Sequence, residues 1–312
     1  MSFFQNIRNL LPSLSRLLGP PPPTRPFTPA YNDVCKTRAL LKTLNLPTEL
    51  VLSILDYAQY WPVHQITGGG AQAAARGDRP SAATLSLSIN LFDTPVVTEA
   101  LVSGEHAKIK RIEFTVRSCD QGWTSERTQG TFSTSSWTEV SILRDASNSN
   151  SRLPSPRLVN TWISSPQDYH INMVGRGWSL VKRPETALQG PQGGEGDFAW
   201  FLQGNRVAVG GSEEYRIVWT EEGREEGNEG SGSGEGFLQA LSEGDRLLLW
   251  ARAKVRSQIS KVYTCRGGHV AFSMLTDSST LDGSVSWKAR TSLLAMDSDR
   301  CLPDTVMVVL SL

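Results

Sequence analysis

The sequence is short of charge imbalance, of paired cysteines and of long apolar runs, and each shortage removes a class of function. Lys plus Arg and Asp plus Glu number 31 each, so the net charge is zero. A general nucleic-acid binder carries a basic excess to neutralise phosphates, and the basic residues here are scattered, so no nucleic-acid partner is expected. The four cysteines, Cys35, Cys119, Cys265 and Cys301, lie far apart and form no CxxC pair. That spacing excludes the usual close-paired zinc site and fits free thiols in a reducing compartment. No N-x-[ST] acceptor occurs, and no apolar run approaches the roughly 18–20 residues that span a bilayer. These absences point to the cytoplasm or nucleus, with no membrane span.

Catalytic signatures are missing too. His64, His106, His170 and His269 show no metal-ligand spacing, and no G-x-S-x-G elbow, P-loop or G-x-G-x-x-G is present. Cys265 and His269 lie close in sequence, but nothing else supports a nucleophilic dyad. No cofactor or metal is expected, and the leading expectation is a protein that is not an enzyme. An uncatalogued hydrolase ranks behind two binding readings.

Acidic residues are absent from residues 1–32, which carry Arg8, Arg16 and Arg25. Phe3, Phe4, Ile7, Leu10, Leu11, Leu14, Leu17 and Leu18 follow a helical spacing there. The stretch reads either as a mitochondrial transit peptide or as a short helix that packs on a partner or stays mobile. Pro20–Pro23 then form a stiff spacer. Within residues 34–66, Leu46–Pro62 is strongly helical, with Pro47 and Thr48 at its start and an apolar face of Leu50, Leu52, Ile54, Leu55 and Ala58. Residues 67–83 are small and Gly-rich and read as a linker, in which Arg76-Gly77-Asp78 is an adhesion tripeptide by spelling alone.

From residue 84 the apolar period changes from 3.6 to 2. Leu85, Leu87 and Ile89 alternate with serines, and Ile112, Phe114 and Val116 alternate with polar residues. Further strands are predicted over Tyr169–Val174, Trp178–Lys182, Phe198–Leu202, Val207–Val209, Tyr215–Trp219, Arg246–Val255, Val270–Leu275 and Val306–Leu312. In Arg246–Val255, Leu247 and Leu249 face one way and Leu248 and Trp250 the other, as in a strand buried on both faces. The predicted fold is mainly β: an antiparallel jelly-roll-like β-sandwich over 84–312, with mobile inserts at 144–157 and 221–236, the second an acidic hairpin tip. Asp120 and Trp123 are expected to fix the turn after Ile112–Val116.

Leu46–Pro62 (LPTELVLSILDYAQYWP) resembles the opening of an F-box, LPxELxxxI followed by a helix, with Leu46, Pro47, Glu49, Leu50 and Ile54 at the matching positions. The resemblance implies docking of Leu46, Pro47, Leu50 and Ile54 on a Skp-type adaptor of a cullin–RING ubiquitin ligase, with a downstream domain recruiting substrate; read without it, the segment is an amphipathic helix that packs on the sandwich. Arg117–Trp123, Gly130–Trp137 and Gly236–Ala253 are similar to fungal proteins of unassigned activity that join a short F-box-like segment to a β-rich domain. The alternative is a lectin-like or small-ligand-binding sandwich, with Trp123 and Trp137 as groove candidates for a glycan or other ligand.

Overall fold

A computed structural model describes residues 28–66, 73, 81–120, 127–146, 163–187, 189–190, 196–209 and 211–254, and the backbones of 67–69, 71–72, 74–75, 260–265, 268–275 and 305–311. Two helices open it, α1 (Tyr31–Lys42) and α2 (Thr48–Tyr57). Strands β1 (Val63–Gly69), β2 (Ala71–Ala75) and β3 (Ser81–Asn90) follow, then α3 (Pro95–Val102), β4 (His106–Cys119) and β5 (Ser136–Asp145). Next come α4 (Pro166–Val174), β6 (Trp178–Leu180), β7 (Trp200–Gly204), β8 (Glu213–Thr220) and β9 (Gly223–Glu226). The helical turn α5 (Phe237–Ala240) precedes β10 (Arg246–Lys254), β11 (Ser260–Cys265), β12 (Gly268–Leu275) and β13 (Thr305–Ser311). The protein is thus mainly β, with a helical segment at its N-terminal side. Among the described residues no helix is long and apolar enough to cross a membrane.

The strands form two sheets, antiparallel throughout except where β12 runs parallel to β13. In the larger sheet β4 is central. Strand β8 pairs with it from Arg111 to Ser118, so β12, β13 and β11, which pair with overlapping stretches, occupy its other edge. The smaller sheet centres on β10, held between β3 and β5, and β5 carries β6 and β7. Ile112, Phe114 and Val116 turn inward at their two-residue spacing and join Ile217 and Trp219 of β8. The same cluster takes Val140 and Ile142 from β5 and Leu247 and Leu249 from β10, so the two sheets share one core. Phe237 seals it, edge-on to both Trp200 and Trp219 at centroid distances of 5.0 and 5.2 Å.

Strand β10 is covered on both faces, as its sequence predicts. Leu248 and Trp250 lie in a second cluster, closed by Tyr169 and Met173 of α4. The predicted strand Tyr169–Val174 is therefore a helix. Tyr169, Ile171 and Met173 mimic a two-residue period, but Ser165 caps the Asp168 N–H at 3.3 Å and Pro166 holds the first turn. Helix α3 starts the same way, with Thr94 Oγ1 accepting from Val97 N at 3.3 Å. Val207–Val209 is a turn in which Ala208 has φ of 54°.

Two expectations about Gly-rich stretches are corrected. Residues 63–69, 71–75 and 81–83 are strand where a helical tail and a linker (67–83) were expected: β1 pairs with β13 and β2 with β11. Ladder hydrogen bonds come from backbone, so small side chains do not prevent pairing. Residues 221–236 form β9 and a strap packed on the core, not a projecting acidic tip. Gly204 N donates to Gly230 O and Gly232 N to Leu202 O, and Ser231 Oγ donates to Gln203 Oε1 at 2.7 Å. Trp219 Nε1 donates to Gly232 O and Trp200 Nε1 to Glu235 O. Glycine makes this approach feasible: a Cβ on Gly232 would run into the Phe201 carbonyl, and one on Gly234 into the Trp219 ring. Of the insert 144–157, Arg144 and Asp145 complete β5, and 147–157 lie outside the described residues.

Candidate functional site

Helices α1 and α2 pack as a hairpin through Val34, Val51 and Leu55, with Leu41, Leu46 and Tyr60 against them. Asp33 Oδ2 accepts from Ala30 N at 3.0 Å at the start of α1, and Asn45, in the left-handed region at φ 56°, turns the chain towards α2. Pro47 precedes α2, and Glu49 in its first turn complements the helix dipole. Tyr31 enters the main core and Arg38 pairs with Glu105 at 2.5 Å, anchoring α1. At the other end Asp56 accepts from Trp61 Nε1 at 3.0 Å and pairs with Lys110 of β4 at 3.3 Å.

This packing decides which side of α2 is left over. Val51 and Leu55 are buried, while Leu50, Ile54 and Tyr57 are 51, 43 and 94% exposed. At spacings of four and three residues these three form one apolar stripe along the helix. The four residues singled out from the F-box-like opening are thus divided. Pro47, Leu50 and Ile54 stand exposed, whereas Leu46 is half-buried in the hairpin's own packing. Tyr57, missing from that set, is the most exposed of the stripe; its i+7 spacing from Leu50 was the signal available.

Beside the stripe lies a groove of about 780 Å3 between α2 and the β8–β9 turn, lined by Tyr57, Trp61, Asp56, Lys110, Glu221 and Glu225 among others. Burial opposes ionisation of Glu221, but Lys108 and Lys110 together outweigh it and hold the carboxyl below its usual range. Arg111 reaches Glu225 at 3.2 Å across the same rim.

The other candidates fall elsewhere. Trp137 is 1% exposed: its Nε1 donates to Glu139 Oε1 at 2.6 Å and the Arg252 guanidinium lies 5.2 Å from its ring. A side chain so enclosed offers no face to a ligand, which corrects its assignment to a groove. Trp123 lies outside the described residues. Asp120 accepts from Ser136 Oγ at 3.1 Å and from Ala208 N at 3.4 Å, tying it to β5 and to the Val207–Val209 turn; residues 121–126 of its own turn lie outside the described residues. Cys265 ends β11 and His269 lies in β12, where only backbone is described. Among the described residues no group of three His, Cys, Asp or Glu side chains could hold a metal ion. No protein-family model matches the chain, and no curated protein does.

Proposed function

We propose that this protein is a non-enzymatic interaction module, an F-box-like substrate receptor. The α1–α2 hairpin docks on a Skp-type adaptor of a cullin–RING ligase, and the β-rich body, organised as a jelly-roll-like sandwich, presents the substrate. The supporting observation is the exposed stripe Leu50–Ile54–Tyr57 on the helix that carries the F-box-like residues, while Val51 and Leu55 do the packing. Covering a half-exposed Leu or Ile is worth about 1 kcal/mol or more, so a few such anchors account for a hot spot. Adaptor capture by the full chain is expected, with at least about tenfold weaker binding for Leu50→Asp. A Leu50→Asp protein that keeps full binding refutes the reading.

The second reading is a lectin-like module. The observation favouring it is the groove that sets Tyr57 and Trp61 beside the carboxylates of Asp56, Glu221 and Glu225, the aromatic-plus-polar lining that suits a sugar. Saturable binding on a glycan array, lost on Tyr57→Ala and kept on Leu50→Asp, selects it over the first.

A further inference from the structure

Arg183 carries a charge that the described residues do not balance. It follows β6, where Val181 N donates to Ile142 O at 2.9 Å and Val181 packs on the main core. Arg183 N donates to Asp197 O at 2.6 Å, and Pro184 disfavours helical backbone at Arg183. Two residues beyond Val181, its side chain turns to the same side and is 6% exposed. An arginine so covered is ordinarily matched by a carboxylate, as Arg252 is by Glu139. Here the neighbouring acid is taken elsewhere: the Asp197 carboxylate pairs with Lys182 at 3.2 Å, and both side chains are more than half exposed. Among the described residues the guanidinium finds two acceptors, both carbonyls of its own turn: Ala187 O at 2.5 Å and Pro184 O at 3.4 Å. Nη1 supplies both bonds.

With Nη1 so used, the Nε–H and both Nη2–H groups remain, and they form the flat fork that arginine presents to a carboxylate. Among the described residues the one sealed side-chain polar atom without a partner is Glu105 Oε2. The Arg183 fork is therefore not sealed: it reaches the surface while the rest of the residue is enclosed. We propose that this fork is a binding site for a carboxylate group brought by a ligand. Charge separates the carboxylate from other oxyanions. One guanidinium balances one carboxylate, whereas a phosphate monoester carries about −1.5 to −2 near neutral pH. Its surplus would have no second cation, because Lys182 is held by Asp197. Nε and Nη2 also offer two parallel N–H···O bonds, one for each carboxylate oxygen. The fork is held in place. Nη1 is braced by Pro184 and Ala187, and Pro184 lies against the strap, where a Cβ on Gly236 would come within 2.6 Å of Pro184 Cγ. The site belongs to the β body and shares no residue with the α2 groove, so it does not depend on what docks on α2.

The test reads the Arg183 Nε–H resonance of the full-length, nitrogen-15-labelled protein by NMR, assigned through its own backbone amide. Sodium acetate is titrated against sodium chloride at constant ionic strength, with acetamide and inorganic phosphate as comparison probes. A saturable shift with acetate, half-complete in the millimolar range, is expected, with at least about fivefold weaker binding of phosphate and no response to acetamide. Acetate is also expected to raise the melting temperature over chloride in wild type and not in Arg183→Lys, which keeps the charge but not the fork. A peptide with a free C-terminus and an amidated peptide carrying one aspartate then tell a chain terminus from an acidic side chain as the source. Saturation by either supports the proposal, and saturation by neither overturns it. A resonance that answers acetate no more than chloride, or that phosphate saturates more tightly, also overturns it, whether or not Arg183→Lys folds. No adaptor is present, so a failed adaptor capture and a failed titration are separate results.

Discussion

Replacing Arg252 by Met is expected to be among the most damaging single changes in the β body. Arg252 is 0% exposed in the middle of the smaller sheet, and its guanidinium donates to Glu139 Oε2 at 2.6 Å and to the Ala82 carbonyl at 3.3 Å. Glu139 is 2% exposed and also accepts from Trp137 Nε1. Met fills most of the volume but leaves a carboxylate sealed from water without its counter-ion, a loss of about 3–5 kcal/mol. Against a total stability of about 5–15 kcal/mol this is large. In urea, with m near ~2 kcal/mol/M, the midpoint falls by about 2 M at unchanged slope. Adding Glu139→Gln removes the stranded charge and keeps an acceptor for Trp137, so the double variant recovers at least about 1 kcal/mol. A midpoint shift below about 0.5 M for Arg252→Met, or a double variant less stable than the single, would falsify the reasoning.

Three further outcomes follow from the same structure. His170 stacks on Phe198 with centroids 4.0 Å apart, its Nδ1 accepts from Leu180 N at 3.0 Å, and burial holds its pKa below 6.5. The unfolded chain therefore binds the proton first, so stability is complete above about pH 6.5 and declines as pH falls through the lower folded value; His170→Asn flattens that decline in pH-dependent urea melts, and an unaltered profile contradicts it. Gly232→Ala forces Cβ against the Phe201 carbonyl and lowers stability by about 1–3 kcal/mol, whereas Gly130→Ala has open space and carries only the strain of φ 76°; equal melts for wild type and Gly232→Ala would show that the strap is not packed as described. Asp120→Ala strips an acceptor from Ser136 Oγ and Ala208 N and costs about 1–3 kcal/mol by thermal melt, a result that a ligand-binding role for Asp120 does not require.

The sheets were legible where side chains carry the information. Ile112–Val116 and Leu247–Trp250 state their period and their burial directly. The end of β1 with its glycines, the alanine-rich β2 and the glycine strap over Trp219 are not legible, because backbone pairing and small side chains leave no strong apolar signal. In α4 the triplet Tyr169, Ile171 and Met173 has the two-residue period of a strand, but only Tyr169 and Met173, four apart, are buried while Ile171 is exposed, and the capping pattern Ser165-Pro166-x-Asp168 is the signal for the helix. The site was half legible. Apolar residues surround α2 on most sides, so its own sequence cannot say whether Leu50 and Ile54 or Val51 and Leu55 pack; Val34, from another helix, decides it.

The central claim is that α2 docks a partner through its outer stripe, and adaptor capture with paired variants tests it most directly. Full-length wild type, Leu50→Asp, Ile54→Asp and the control Glu99→Ala, an exposed residue of α3, are compared for binding to the Skp-type adaptor and for thermal stability. The account predicts that both aspartate variants lose binding at least about tenfold while their melts stay within a few degrees of wild type, because both side chains are about half-exposed and lie outside the hairpin's own packing cluster. Binding that survives both substitutions, or that falls only in step with the melting temperature, would contradict it.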